Sequence, residues 1–173
     1  GGAMLGQVTP YYLSSGSQFR SAPPPALGSD EFDVDLDEVM ARTQDRTPEE
    51  LAFAKYWDFP LGTPTPIGFW NGAAAQYVAD RNLDERGATE VFALMHAAMF
   101  DALIGCWEAK YHYWTLRPSQ ADPAIPLVLA LPNFPSYPSG HSCASAWAGR
   151  VLAHFFPDHA GELGSQVCDA GLS

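Results

Sequence analysis

Two short segments carry side chains that together suit a tetrahedral anion. The first is Trp107-Glu-Ala-Lys110-Tyr-His-Tyr-Trp-Thr-Leu-Arg117-Pro118, with a lysine as a point charge and an arginine as a planar fork. The second is Phe134-Pro-Ser-Tyr-Pro138-Ser139-Gly140-His141-Ser142. There proline and glycine break the chain just before a helical pattern, so the first backbone N–H groups of that helix lack intrahelical partners. Such an end attracts anions. Ser139 stands where an N-cap or anion-binding hydroxyl would be, and Gly140 permits close backbone approach. His141 can donate or accept a proton near neutral pH. The same residue types also occur at ordinary helix ends, with Lys110 and Arg117 extending into solvent, Ser139 as a plain cap and His141 at the surface. Composition and spacing alone leave both readings open.

The elements that would position these groups are helices. Residues 1–30 mix Gly, Ser and Pro without a sustained period, which predicts an extended N-terminal arm. Two helices are expected over 33–57, the second capped by Thr47 with Pro48 in its first turn. Another is expected over 66–80. Phe92, Met95, Met99, Ala102, Leu103 and Cys106 recur at spacings of three and four, predicting a helix from after Asn82 to near Lys110. A proline-rich loop over 118–138 follows, with one short apolar run at 125–131. Ala144, Trp147, Val151 and Phe155 then mark a helix from near Ser139 to before Pro157, and a last amphipathic stretch runs from His159 onward. Strand signals are scarce. The fold class is all-α, a helical bundle occupying residues 31–173 behind the arm, with chemistry in loops at helix ends.

Composition narrows the partners. With 47% hydrophobic residues among 173, the chain can bury the core of one domain. A formal charge of -11 and a pI near 4.6 disfavour nucleic acid and anionic membrane, so any anion site must be locally basic. No run of consecutive apolar residues approaches the roughly 20 that span a bilayer, and the opening GGAMLGQVTPYYL has no charged and apolar leader pattern. The chain reads as soluble. Its compartment is left open, export of a full-length form included. Cys106, Cys143 and Cys168, odd in number and without CxxC spacing, argue against a disulfide framework or zinc site and are taken as buried fillers.

Lys, six residues, Arg-Pro, then Pro-Ser-Gly-His resembles the first two of three signature motifs of the type 2 phosphatidic acid phosphatase superfamily, whose soluble branch includes vanadium-dependent haloperoxidases. The resemblance implies the helical bundle of that superfamily. It implies that Lys110, Arg117, Ser139 and the Gly140 N–H hold vanadate or phosphate oxygens, and that His141 is the catalytic acid–base group. Trp107 and Phe134 resemble residues lining chloroperoxidase sites, and VTPYYLSSGSQFRSAPPPAL and TPTPIGFWN resemble stretches of bacterial haloperoxidase-like proteins. The implied cofactor is vanadate, in a site that phosphate or sulfate can occupy. The implied substrates are small molecules: halide and hydrogen peroxide, or a phosphoester if the protein is an acid phosphatase of the same superfamily.

One departure matters. The family's third motif, Ser-Arg followed by a histidine that bonds to vanadium or phosphorus, has no match after Pro138, so no direct metal ligand is assigned. His154 and His159 lack the preceding Ser-Arg. Ala170-Gly171-Leu172-Ser173 resembles the run into that motif, with Ser173 as its first residue. The expectation is an incomplete bundle, inactive alone, with apolar surface that a second copy or the missing segment would cover. A non-catalytic anion-binding remnant is the non-enzyme alternative. Two other readings are weaker. Gly140-His141-Ser142 superficially suits a hydrolase nucleophile elbow, but Pro132, Pro135 and Pro138 occupy the stretch where its strand must be. Glu108 and His112, with His96 and Asp101 upstream, suggest a helical metal site that lacks a second ligand pair. Glu108 is expected to be solvated and His96 to be a satisfied core residue.

Overall fold

In the computed structural model, residues 1–59 and 62–172 are described, and among them there are seven α-helices and no strand. The helices are α1 (Asp30–Gln44), α2 (Pro48–Asp58), α3 (Thr65–Asp80), α4 (Glu85–Tyr113), the single turn α5 (Pro118–Ala121), α6 (Gly140–Phe155) and α7 (Ala160–Leu172). The all-α expectation holds. Each start has a local cause. The Ser29 hydroxyl accepts from Phe32 N–H, Thr47 and Glu50 form a reciprocal capping box, and the Asp84 carboxylate accepts from Gly87 N–H. α4 runs three residues past Lys110, then stops where Trp114 turns left-handed at φ 51° and donates its N–H to the Lys110 carbonyl. The proline-rich segment folds its first turn into α5 because Pro118 suits a first helical position.

The core lies where α3, α4, α6 and α7 meet. Trp70, Ala74 and Tyr77 of α3 pack with Val91, Met95 and Met99 of α4, with Ala144, Ala148 and Leu152 of α6, and with Phe156 and Leu163. Small residues let helices close up: a Cβ on Gly149 would lie 2.4 Å from the Val167 side chain, so only glycine permits this approach of α6 to α7. Trp70 Nε1 donates to the buried Ser145 hydroxyl at 2.9 Å, satisfying both polar groups inside the core. Full burial of a side chain such as Met99 stabilises by about 1.5–3 kcal/mol, so this four-helix seam dominates cohesion. By contrast α1 buries no residue.

α4 corrects the membrane expectation. By length and composition it is apolar enough to cross a bilayer, a property that a search for uninterrupted apolar runs misses because Glu90, His96 and Asp101 punctuate it. Its buried face lies at the centre of the core.

The arm is not simply extended. It forms a 3-10 turn at Leu5–Gln7 and lies along α4. A Cβ on Gly6 would come within 2.6 Å of the Glu108 backbone, so glycine is required where the arm crosses the helix. Buried Asp101 accepts from the N–H groups of Tyr11, Tyr12 and Leu13 at 2.7, 2.7 and 3.1 Å. Glu108 pairs with the Arg20 guanidinium, whose Nη1 lies 3.4 Å from His112 Nε2. Glu108 is therefore not a solvated residue, and Asp101, Glu108 and His112, weighed as metal ligands, serve instead as a clasp for the arm. His96 is exposed rather than in the core, lying against Phe92. No cluster of metal-binding side chains occurs among the described residues.

If Asp101 holds the arm, Asp101→Ala lowers stability by about 2–4 kcal/mol, because three N–H groups lose a charged acceptor. Urea unfolding reads this, and limited proteolysis should open the chain near Tyr11. Loss below about 1 kcal/mol with unchanged protease resistance would contradict the clasp.

Candidate functional site

α4 delivers Lys110 in its last turn, where the side chain is 1% exposed and donates through Nζ to the Pro135 carbonyl at 3.0 Å and the Ser136 carbonyl at 2.8 Å. An ammonium has three donors, so one more remains for a ligand. Burial above all, with the Arg117 charge adding to it and the neighbouring Cys106 and Cys143 opposing it, brings the Lys110 pKa down to about 8. Arg117, just before α5, donates through Nη2 to the Phe134 carbonyl at 3.2 Å. Burial lowers its pKa too, and its Nε is buried without a partner.

Phe134 lies against both cations, with Lys110 Nζ 5.0 Å and the Arg117 guanidinium carbon 5.2 Å from its ring centre. Trp107 stands 5.2 Å from Phe134 and 5.9 Å from Lys110 Nζ. Its indole N–H donates to the Gly1 carbonyl at 3.1 Å, which fixes the ring plane. The far edge of that ring reaches Gly140: a Cβ there would sit 3.6 Å from it, an ordinary contact, so packing within the protein does not itself demand glycine.

α6 begins with Ser139 as its cap, the hydroxyl accepting from Ser142 N–H at 3.2 Å and the carbonyl from Cys143 N–H at 3.1 Å. That leaves the Gly140 and His141 N–H groups at the positive end of the helix dipole, the pattern of an anion site. His141 is in the first turn. Its ring lies 6.4 Å from the Phe59 ring at 25°, beside the Trp57 backbone at the end of α2. Its Nε2 is buried and has no partner. Burial lowers the His141 pKa; the Trp57 carbonyl and Asp58 oppose this, and Lys110 adds to it. The imidazole is accordingly neutral at pH 7.

The structure thus gathers Lys110, Arg117, Trp107, Phe134, Ser139, Gly140 and His141 around the facing ends of α4 and α6. Neither cation extends freely into solvent. Four neighbours were missed by sequence reasoning. Trp57 and Phe59 had no local signal, because α2 meets His141 only through the fold. Cys106 and Cys143 had one: they lie four residues before Lys110 and four after Ser139, on the faces that bear those groups. Cys168 is exposed, so the reading of all three cysteines as buried fillers fails there, on the outward face of α7. The assignment of Ser173 to a third motif lies outside the described residues.

No protein-family profile matches the chain, and no curated protein does. Among solved structures, the first bacterial vanadium-dependent iodoperoxidase superposes on 98% of this chain with a TM-score of 0.85 and 27% sequence identity. The fold is that of the vanadium-dependent haloperoxidases. The chain spans about half of that iodoperoxidase, 49% of its length. Within this haloperoxidase-like fold, the unpartnered Arg117 Nε and His141 Nε2 are polar positions open to an oxyanion, and the α6 N–H groups suit its remaining oxygens.

Lys110 sets a pH dependence with two opposite signs. Its folded pKa lies below the unfolded one, so between about 8 and 10.5 the unfolded chain binds more protons and this group's contribution to stability rises with pH. Anion affinity runs the other way, because neutral Lys110 has lost its charge. Sulfate, whose own charge is constant here, should bind several-fold more weakly at about pH 9.5 than at about pH 7 by calorimetry, and Lys110→Met should abolish the difference. A flat wild-type profile would contradict the role of Lys110.

Proposed function

We propose that this chain supplies the oxyanion-holding wall of a vanadate-dependent haloperoxidase that oxidises halide with hydrogen peroxide. The observation that carries this reading is the buried, unpartnered pair of Arg117 Nε and His141 Nε2 beside the α6 N-terminus, in a chain that follows an iodoperoxidase over 98% of its length. Lys110, Arg117, the Ser139 hydroxyl and the Gly140 N–H would hold vanadate oxygens. Bound vanadate supplies the Lewis acidity that activates peroxide toward halide. His141 accepts a proton at Nε2 from a reacting oxygen and returns it. Trp107 and Phe134 exclude water from the cations, which strengthens their hold on an anion.

The histidine expected to bond vanadium is not supplied by the helices described. His154 is exposed and lies 13 residues along α6 from His141, or about 20 Å at 1.5 Å per residue. His159 is turned toward Tyr77 and Glu162. Neither can reach an anion over Gly140.

Two assays test the proposal, iodide oxidation by peroxide with and without vanadate, and hydrolysis of an aryl phosphate. The 173-residue chain alone should bind vanadate yet show no turnover above a His141→Ala control. Joined to a segment bearing Ser-Arg and a following histidine, it should oxidise iodide only when vanadate is present. Phosphate hydrolysis that vanadate inhibits, without halide oxidation, would assign the site to phosphoester chemistry instead.

A further inference from the structure

The cysteines beside the site are placed for chemistry that neither the anion cradle nor His141 uses. Cys106 is buried on α4, and its Sγ lies 3.8 Å from the Ser139 carbonyl and 4.0 Å from the Pro138 carbonyl. The Ser139 carbonyl is also the acceptor for Cys143 N–H at 3.1 Å, so one oxygen gathers the Cys106 thiol and the Cys143 backbone. The two thiols are close enough to shift each other's acidity. α4 and α6 are joined more extensively than any other pair of helices, and Ala144 beside Cys143 is buried in that seam. Cys143 is half-buried, which gives a small solute access to its sulfur.

We propose that Cys106 and Cys143 are a peroxide-oxidisable thiol pair that closes to a disulfide between α4 and α6 beside the anion site. The reagent class is a small hydroperoxide. The Cys143 sulfur attacks one peroxide oxygen, the O–O bond breaks, and the departing hydroxide takes the thiol proton as water, leaving a sulfenic acid. The Cys106 sulfur then attacks the Cys143 sulfur, and the sulfenic hydroxyl leaves as a second water with the Cys106 proton. Two thiols are oxidised by two electrons in total and one peroxide is reduced to two waters. Exposure sets the order, since Cys106 is buried and Cys143 is only half-buried, and the thiol acidities run the same way. The hydrogen bond from Cys106 lowers the Cys143 pKa, burial opposes this, and the Lys110 charge lowers it further; the same bond and burial raise that of Cys106. Cys143 is the attacking sulfur and Cys106 the resolving one.

Peroxide is a substrate in the function proposed above, but this inference needs it only as a reagent, and neither vanadate nor halide enters the test. The 173-residue chain is treated with hydrogen peroxide at low protein concentration, quenched by alkylation, and mapped by mass spectrometry without reduction. The expected result is a Cys106–Cys143 linked peptide within the monomer, reversed by dithiothreitol, with Cys168 outside the pair. In Cys143→Ser, Cys106 should stay reduced at the same dose, because it is buried. Recovery of Cys106 and Cys143 as free thiols at doses that oxidise exposed Cys168 would overturn the proposal, as would Cys143 advancing to sulfinic acid without a link. The wild-type map alone decides the matter if the variant does not fold.

Discussion

The arrangement depends on keeping an ammonium ion inside the protein. Lys110 is almost wholly buried, and a charge taken out of water is costly unless polar groups replace its hydration. The Pro135 and Ser136 carbonyls do so, and they are available because the surrounding loop is rich in proline, which contributes carbonyls without N–H partners. Serving the ammonium fixes the loop. Ser136 N–H bonds the Thr115 carbonyl and Tyr137 N–H the Thr115 hydroxyl, so the segment just after α4 holds the same loop from its other side. A loop pinned at 134–137 presents Ser139 as a cap and so sets where α6 begins.

The wall around this charge is assembled from distant parts of the chain. The first residue orients Trp107, Phe59 at the end of α2 stacks near His141, and Asp101 with Glu108 holds the arm across α4. Tyr113 and Tyr137 donate to the Ser21 and Ala22 carbonyls, so the arm also touches the segments that bear Lys110 and Ser139. A disturbance of the arm therefore acts on the site through Trp107 rather than through the cations directly.

Much of this was legible because it is local. Thr47 followed by Pro48 and Glu50 signals a helix start within four residues, and the spacing of Met95 and Met99 signals a buried face. Ser139-Gly140-His141 announced a helix N-terminus bearing chemistry. What could not be read depends on partners far along the chain. Glu108 looks like any exposed helix residue until Arg20, 88 positions away, folds onto it. Asp101 punctuates an apolar helix for no local reason; its reason is the arm at Tyr11. Lys110 at a helix end would ordinarily reach for solvent, and only the returning loop encloses it. Cys106 and Cys143 could have been paired from their spacing to Lys110 and Ser139, but composition gave no reason to ask.

The central claim is that one oxyanion sits between the buried cations and the first turn of α6. A crystal structure of the chain soaked with vanadate tests it most directly. Tetrahedral density is expected over the Gly140 and His141 N–H groups, with Arg117 Nε and His141 Nε2 within hydrogen-bond distance of its oxygens and Lys110 Nζ completing the shell. Density elsewhere on the surface, with Arg117 Nε and His141 Nε2 still unpartnered at a concentration that saturates binding, would contradict it.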